Sequence, residues 1–306
     1  MNTFWILLEQ MELFVVYILA GVILVKTKVL SKEALQPIAR FVLKMGLPLL
    51  IFTNIINGVE KDALFRSGSI LVTAFFLDSA LFLLSWPIAH LCGVKGKLVE
   101  IYQTMNIFGN IGFMGIPIIT SIYPENGILY VSVFTIVDQL FLWTLGVKLT
   151  APEGEGKFNP KKLINPASVG IVTAIILIII GIRLPVPLNT GLQKIGSTAT
   201  PLAMIYLGGL FACSNIGSCL KRIELYGIVI VKMMIVPLVM YWILKQLGMA
   251  EDIRMTMSLI AGMPVMASIA MMVKPSESDY AMGGIFVTTI GSLITLPLIC
   301  FILQNF

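Results

Sequence analysis

Apolar stretches succeed one another along this chain with short polar joints between them, and nothing else restricts its fold as much. They fall at roughly 11–25, 36–56, 67–90, 98–122, 126–148, 166–182, 190–213, 225–247, 253–273 and 279–303. A helix needs about 20 apolar residues to cross a bilayer. In lipid only helices and closed barrels satisfy every backbone group. The pattern therefore predicts an all-α membrane protein of ten transmembrane helices. Composition agrees: 58% of residues are hydrophobic and 12% charged, against roughly 25% charged in an average soluble domain.

Several function classes lose their footing at once. The four cysteines (Cys92, Cys213, Cys219, Cys300) fall in no metal or disulfide pattern, and the one histidine is His90. No metal and no cofactor is expected. Intramembrane proteolysis needs a metal motif, a Ser/His pair or paired aspartates, so an enzyme is not expected either. No phosphate-binding G-x-x-x-x-G-K-[ST] loop is present, which argues against primary active transport by this chain alone. The excess of 21 Lys+Arg over 16 Asp+Glu reads as a topology signal and not as a nucleic-acid surface. No basic segment precedes the first apolar run, so no cleavable leader is expected.

Loop charge predicts the orientation. The loops after odd-numbered spans hold twelve basic residues, among them Lys26, Lys95, Lys148, Lys161 and Arg222, and the alternate loops hold five. The positive-inside bias then puts the central linker in the cytoplasm and both termini outside the cell membrane. That linker, residues 151–165, divides the chain into residues 1–150 and 166–306, with five spans in each. An odd number per half makes the halves oppositely oriented. Prolines recur between them: Pro48 with Pro201, Pro87 with Pro237, Pro117 with Pro264, and Pro124 with Pro275, all offset by about 150 residues. Two inverted five-helix repeats with interrupted helices four and nine are expected, the layout of a secondary transporter with a midplane site.

The richest interruption lies in span four, residues 102–123, YQTMNIFGNIGFMGIPIITSIY. Gly109, Gly112, Gly115 and Pro117 in mid-span are tolerated only where protein or a cavity satisfies the freed backbone. The reading is a helix to about Asn110, an unwound crossing, and a half-helix starting near Pro117, whose fixed φ and missing N–H suit a first turn. Tyr102, Asn106 and Asn110 share one helix face at i, i+4, i+8. A plain kink, with the asparagines bonded to neighbouring helices, is the other reading. Span nine carries a second interruption at Gly262-Met-Pro264. Half-helix N-termini at Pro117 and Pro264 would expose N–H groups and partial positive charge, which favour an anion.

With those residues in view, NIGFMGIP from Asn110 to Pro117 resembles the span-four signature of the auxin efflux carrier family, which includes plant PIN carriers and bacterial malonate and malate permeases. The resemblance covers essentially the whole chain, and the short central linker is similar to that of bacterial members. It implies a homodimer that moves a small organic anion such as a carboxylate. It also implies that spans one, two, six and seven form a scaffold, and that the crossed helices four and nine belong to the moving part. Val265 stands where the plant pattern has an asparagine. The expected substrate-binding residues are Asn106, Asn110, Gly112, Gly115, Pro117, Gly262 and Pro264. A sodium-coupled carrier of the bile-acid symporter type is the alternative, with a non-transporting receptor or channel behind it.

Ionisable residues inside spans include three that stand in strongly apolar runs: Asp78 in FLDSALF, Asp138 in TIVDQLFLW and Lys232 in VIVKMMIVP. An unpaired carboxylate at the bilayer centre costs about 2.5–3.5 kcal/mol on insertion scales, so such residues usually serve a function. All three are candidates for H+ or Na+ coupling. Structural, hydrogen-bonded aspartates remain open, as does a Lys232 that snorkels to the interface or pairs with an aspartate. Thr288, Ser292 and Thr295 form a stripe on span ten that reads as helix glue or pathway lining.

Overall fold

The computed structural model describes residues 3–150, 164–214, 217, 220–274 and 276–305. In chain order its helices are α1 (Thr3–Lys26), α2 (Leu35–Gly58), the short α3 (Lys61–Arg66), α4 (Gly68–Leu91), α5 (Leu98–Ile107), α6 (Ile111–Ile122), α7 (Gly127–Thr150), α8 (Pro166–Ile180), α9 (Val186–Cys213), α10 (Ile223–Gln246), α11 (Glu251–Ala261), α12 (Ile269–Met272) and α13 (Ser278–Gln304). Seven of them, α1, α2, α4, α7, α9, α10 and α13, are long and apolar enough to cross a membrane, and α6 and α8 are shorter apolar helices. No strand forms among the described residues.

The first helix starts well before the expected boundary near residue 11. Leu7, Met11, Phe14 and Ile18 are buried at helical spacing, so the packed stripe runs on through the exposed Glu9 and Glu12. Most of the central linker, including Lys157, Lys161 and Lys162, lies outside the described residues, as do Cys219 and Pro275. After it, Asn165 caps α8: its side chain accepts from the N–H groups of Ala167 and Ser168, and the Ser168 hydroxyl accepts from the Asn165 N–H. Pro166 follows in the first turn, where no N–H is missed.

Among the described residues, four helices each contain one widened turn. The N–H groups of Leu47, Ile116, Val147 and Val236 reach back five residues, to the carbonyls of Val42, Ile111, Leu142 and Val231. Pro48, Pro117 and Pro237 come just after three of these turns. A proline inside a helix clashes with the carbonyl four residues back, and a widened turn moves that carbonyl aside. The proline pairs noted in the sequence are only partly alike. Pro87 runs through the unbroken α4, whereas its counterpart Pro237 follows a widened turn.

Two groups of helices result. In the first, α1 lies along the second part of α9, Ala199–Cys213, and both α8 and the first part of α9 pack on the second half of α2. The α1–α9 contact is backbone-close: a Cβ on Gly21 would sit 2.0 Å from the Ile205 carbonyl oxygen, and one on Gly208 would sit 1.9 Å from that of Ile18. Small residues that let backbones approach replace hydrophobic driving force between helices in lipid. In the second group, α4 packs on α5 and α7, α11 on the second half of α10, and α13 on the first half of α10 and on α5. The groups meet where α1 touches α6 and α13, and where α2 touches α7.

Candidate functional site

The two helix interruptions meet each other at the heart of the second group. After α5 ends, residues 108–110 run antiparallel to the stretch between α11 and α12. Gly109 bridges Val265, the Asn110 N–H donates to the Pro264 carbonyl at 2.7 Å, and the Met266 N–H donates to the Phe108 carbonyl at 3.2 Å. The Val265 N–H donates to the Thr288 hydroxyl of α13 at 3.1 Å. Freed backbone groups thus find partners in protein, as membrane burial demands. Glycine at 109 permits the approach, since a Cβ there would meet the Met263 Cβ at 3.0 Å.

This differs from the expected geometry in two ways. Unwinding is confined to residues 108–110, and the second half-helix starts at Ile111 and not near Pro117. Pro117 follows the widened turn that absorbs its missing N–H. At the other interruption, Pro264 heads no half-helix. It lies in the extended stretch, and its carbonyl accepts the Asn110 N–H. Pairing between the two stretches decides which residues unwind, and local propensity does not record that pairing.

Asn110 is the exceptional side chain. It is 1% exposed, and neither its amide nitrogen nor its amide oxygen has a partner. Leaving a buried polar group unsatisfied costs about 1–3 kcal/mol. One turn earlier, Asn106 donates to the Tyr102 carbonyl at 2.9 Å and keeps its own oxygen free. The hydroxyls of Ser258 on α11 and Ser268 at the end of the second interruption are also buried without partners. Gly112, Gly115 and Gly262 serve as close-packed positions: added Cβ atoms would meet Leu47, Ile111 and Pro237.

A cavity of about 550 Å³ adjoins α6 where the two helix groups face each other. Ile116, Pro117 and Thr120 line it from α6. Gln10 and Tyr17 of α1, Asn54 and Asn57 of α2, and Gln193, Ser197 and Thr200 of α9 line it from across. Its polar lining is all neutral amide and hydroxyl. Of the expected binding residues only Pro117 reaches it; Asn106 lies in the last turn of α5 and Asn110 in the crossing. Sequence reasoning missed Asn54, whose Nδ2 is buried and unpartnered. The signal was there in the asparagines at 54 and 57, one turn apart at the end of an apolar helix. Gln10 was missed because the first helix was started too late.

The three buried ionisable residues are Asp78 of α4, Asp138 of α7 and Lys232 of α10. Lys232, 1% exposed, donates to the Met105 carbonyl at 3.0 Å, one turn before the first interruption. It therefore points inward and does not snorkel. Its charge interacts with those of Asp78 and Asp138, and the two aspartates with each other. Gln139 donates to Asp138 at 3.1 Å and accepts from the Trp143 indole at 3.2 Å. Asp78 Oδ2 and Asp138 Oδ1 have no hydrogen-bond partner.

No curated protein matches the chain closely enough to count as a relative. Residues 6–300 match the sequence model of a family described as membrane transport protein. Paired helix interruptions, buried unpartnered amides and a row of apolar helices are what that match covers, nearly end to end. The chain is thus a multi-pass membrane protein that belongs to the membrane transport protein family, the transport domain of the auxin efflux carriers.

Proposed function

We propose that this protein is a secondary transporter that carries a small organic anion such as a carboxylate across the cell membrane by alternating access, and that it is not an enzyme. In this reading the polypeptide crosses the bilayer ten times. The α5–α6 and α11–α12 pairs each count as one interrupted crossing, and the halves at residues 1–150 and 166–306 have opposite orientations. The α1, α2, α8 and α9 group is the stationary part, and the group holding the crossing moves against it. A homodimer, with the central linker in the cytoplasm and both termini outside, belongs to the same reading.

One observation carries the proposal: two interrupted helices cross antiparallel at Gly109 and Val265 and hold the wholly unpartnered Asn110 amide at the head of the half-helix whose Ile116, Pro117 and Thr120 line a cavity. A paired interruption at the midplane, facing a second helix group, is the geometry that alternating access uses. The ligand's charge follows from the first turn of α6, whose leading N–H groups lie at the positive end of that helix. With only neutral side chains around the cavity, affinity stays modest and release is easy.

The test is uptake of labelled mono- and dicarboxylates into proteoliposomes under imposed pH and sodium gradients. Saturable uptake of one acid, weakened in Asn110→Ala, is expected. Failure of folded wild-type protein to move any of the acids under any gradient rules the organic-anion reading out.

A further inference from the structure

We propose that Leu47 is a plug that closes the cavity off from Asn110, with Gly112 as its socket, so that a ligand reaches the Asn110 amide only when this side chain moves aside. The inference rests on the transporter reading for its purpose, while its test follows access to Asn110 and needs no substrate.

Two stripes of residues wall the cavity, one on α2 and one on α6. Leu50, Asn54 and Asn57 face it from α2, and Ile116, Pro117 and Thr120 face it from α6. Residues three or four apart share a helix face, so each stripe has a next member one turn deeper. On α2 that member is Leu47, and on α6 it is Gly112. Neither lines the cavity, because there the two helices meet. A Cβ on Gly112 would sit 2.8 Å from the Leu47 Cδ1. Apart from the helix that carries Gly112, no other atom of the described residues comes within 4 Å of that point. One leucine methyl therefore fills the space in front of Gly112. Leu47 is 4% exposed, although the polar cavity begins one turn away.

Asn110 stands two residues before Gly112, at the head of α6. Its amide is buried with both ends unpartnered, and open contact with the cavity would let water satisfy it. Both contact residues also belong to widened turns: Leu47 closes the one over Val42–Gly46, and Gly112 lies inside the one over Ile111–Gly115. Such turns recur at functional sites. An apolar plug at this point has two effects. It keeps the amide dry until a ligand arrives, so no well-ordered water has to be displaced. It also makes the step from cavity to crossing depend on one flexible side chain and not on the movement of a whole helix.

The experiment reads access to Asn110 with a thiol reagent on the purified full chain in detergent, with no organic anion present. Cys92, Cys213 and Cys219 are replaced by alanine, Asn110→Cys supplies the reporter, and the wholly buried Cys300 stays as an internal control. Labelling by a small anionic methanethiosulfonate is followed peptide by peptide. With Leu47 in place the reporter is expected to react as slowly as Cys300. Leu47→Ala is expected to speed the reporter about tenfold or more, since its reaction no longer waits on a local opening, and to leave Cys300 unchanged. Adding Gly112→Ala, whose methyl fills part of the same space, should slow the reporter again. A reporter that is already fast beside Leu47, or that stays slow in a folded Leu47→Ala, overturns the proposal. So does a rise that Cys300 shares or that Gly112→Ala does not reverse. If Leu47→Ala cannot be recovered, Leu47→Val, which lacks the Cδ1 methyl, decides: faster labelling confined to the reporter supports the plug, and its absence refutes it. Failed uptake of every carboxylate would instead overturn the organic-anion reading and leave these rates untouched.

Discussion

The two interruptions answer each other in sequence and cross each other in space, yet they are built differently. The first leaves only residues 108–110 unwound between the helices Leu98–Ile107 and Ile111–Ile122. The second leaves residues 262–268 outside any helix, with turns at both ends, before a helix of just 4 residues. The first contributes a side chain with nothing to bond, Asn110. At the crossing the second has the apolar Val265, opposite Gly109, and what it contributes is backbone: the Pro264 carbonyl and two N–H groups, all engaged by Asn110, Phe108 and Thr288. The difference separates two tasks. In the proposed transport reading the first interruption presents a binding group, and the second clamps it. Substitutions should therefore damage transport at one crossing and stability at the other.

The largest expected effect is at Asn110. Asn110→Ala removes a buried amide that bonds to nothing in the protein, so the unfolding midpoint should hold steady or rise. A hydrogen bond to a charged ligand contributes about 1.5–3 kcal/mol, so uptake affinity should fall about 10- to 150-fold. Measuring uptake and thermal unfolding on the same preparation separates the effects; a large loss of stability would make Asn110 a structural residue and erase the contrast. Thr288→Val should do the reverse. It keeps the side-chain shape but leaves the Val265 N–H buried without an acceptor, at a cost of about 1–3 kcal/mol. The folded fraction should still take up substrate with nearly normal affinity.

Much of the architecture is legible in the sequence, for reasons that can be named. Apolar runs report helices in lipid directly, because each helix satisfies its own backbone. Glycines, asparagines and Pro117 in one run mark where a helix can be interrupted, and Asn110 proves to be the unpartnered group. The extent of unwinding is not legible. Residues 108–110 open because they pair with residues about 150 positions away, and a local pattern holds no record of such pairing. Lys232 in an otherwise apolar run fits a snorkelling side chain equally well; only the freed Met105 carbonyl gives it an inward destination. The cavity is least visible, since α1, α2 and α9 each contribute a few polar residues that form no motif.

Asn54 tests how far the binding role of the first interruption extends across the cavity. Its unpartnered Nδ2 lies on the stationary side of the proposed movement. One neutral hydrogen bond contributes about 0.5–1.5 kcal/mol, so Asn54→Ala should weaken uptake about 2- to 12-fold. An unchanged half-saturation concentration would confine binding to the crossing itself.

The smallest effect is expected at the residue that looks most diagnostic in the sequence, Pro117. Its widened turn, with the Ile116 N–H on the Ile111 carbonyl, has a counterpart in α7, where the Val147 N–H reaches the Leu142 carbonyl and no proline follows. The wide turn therefore does not need a proline to form. What Pro117 adds is a restriction on the unfolded chain, worth about 0.4–1 kcal/mol where the native conformation suits it. Pro117→Ala should lower the unfolding midpoint by only a few degrees and leave uptake within about twofold, because the cavity wall loses one ring and no polar group. A collapse of uptake in stable Pro117→Ala would mean that the half-helix must hold its wide turn rigidly during transport. The first interruption would then be a mechanical element as much as a binding one, and the division of labour between the two crossings would have to be redrawn.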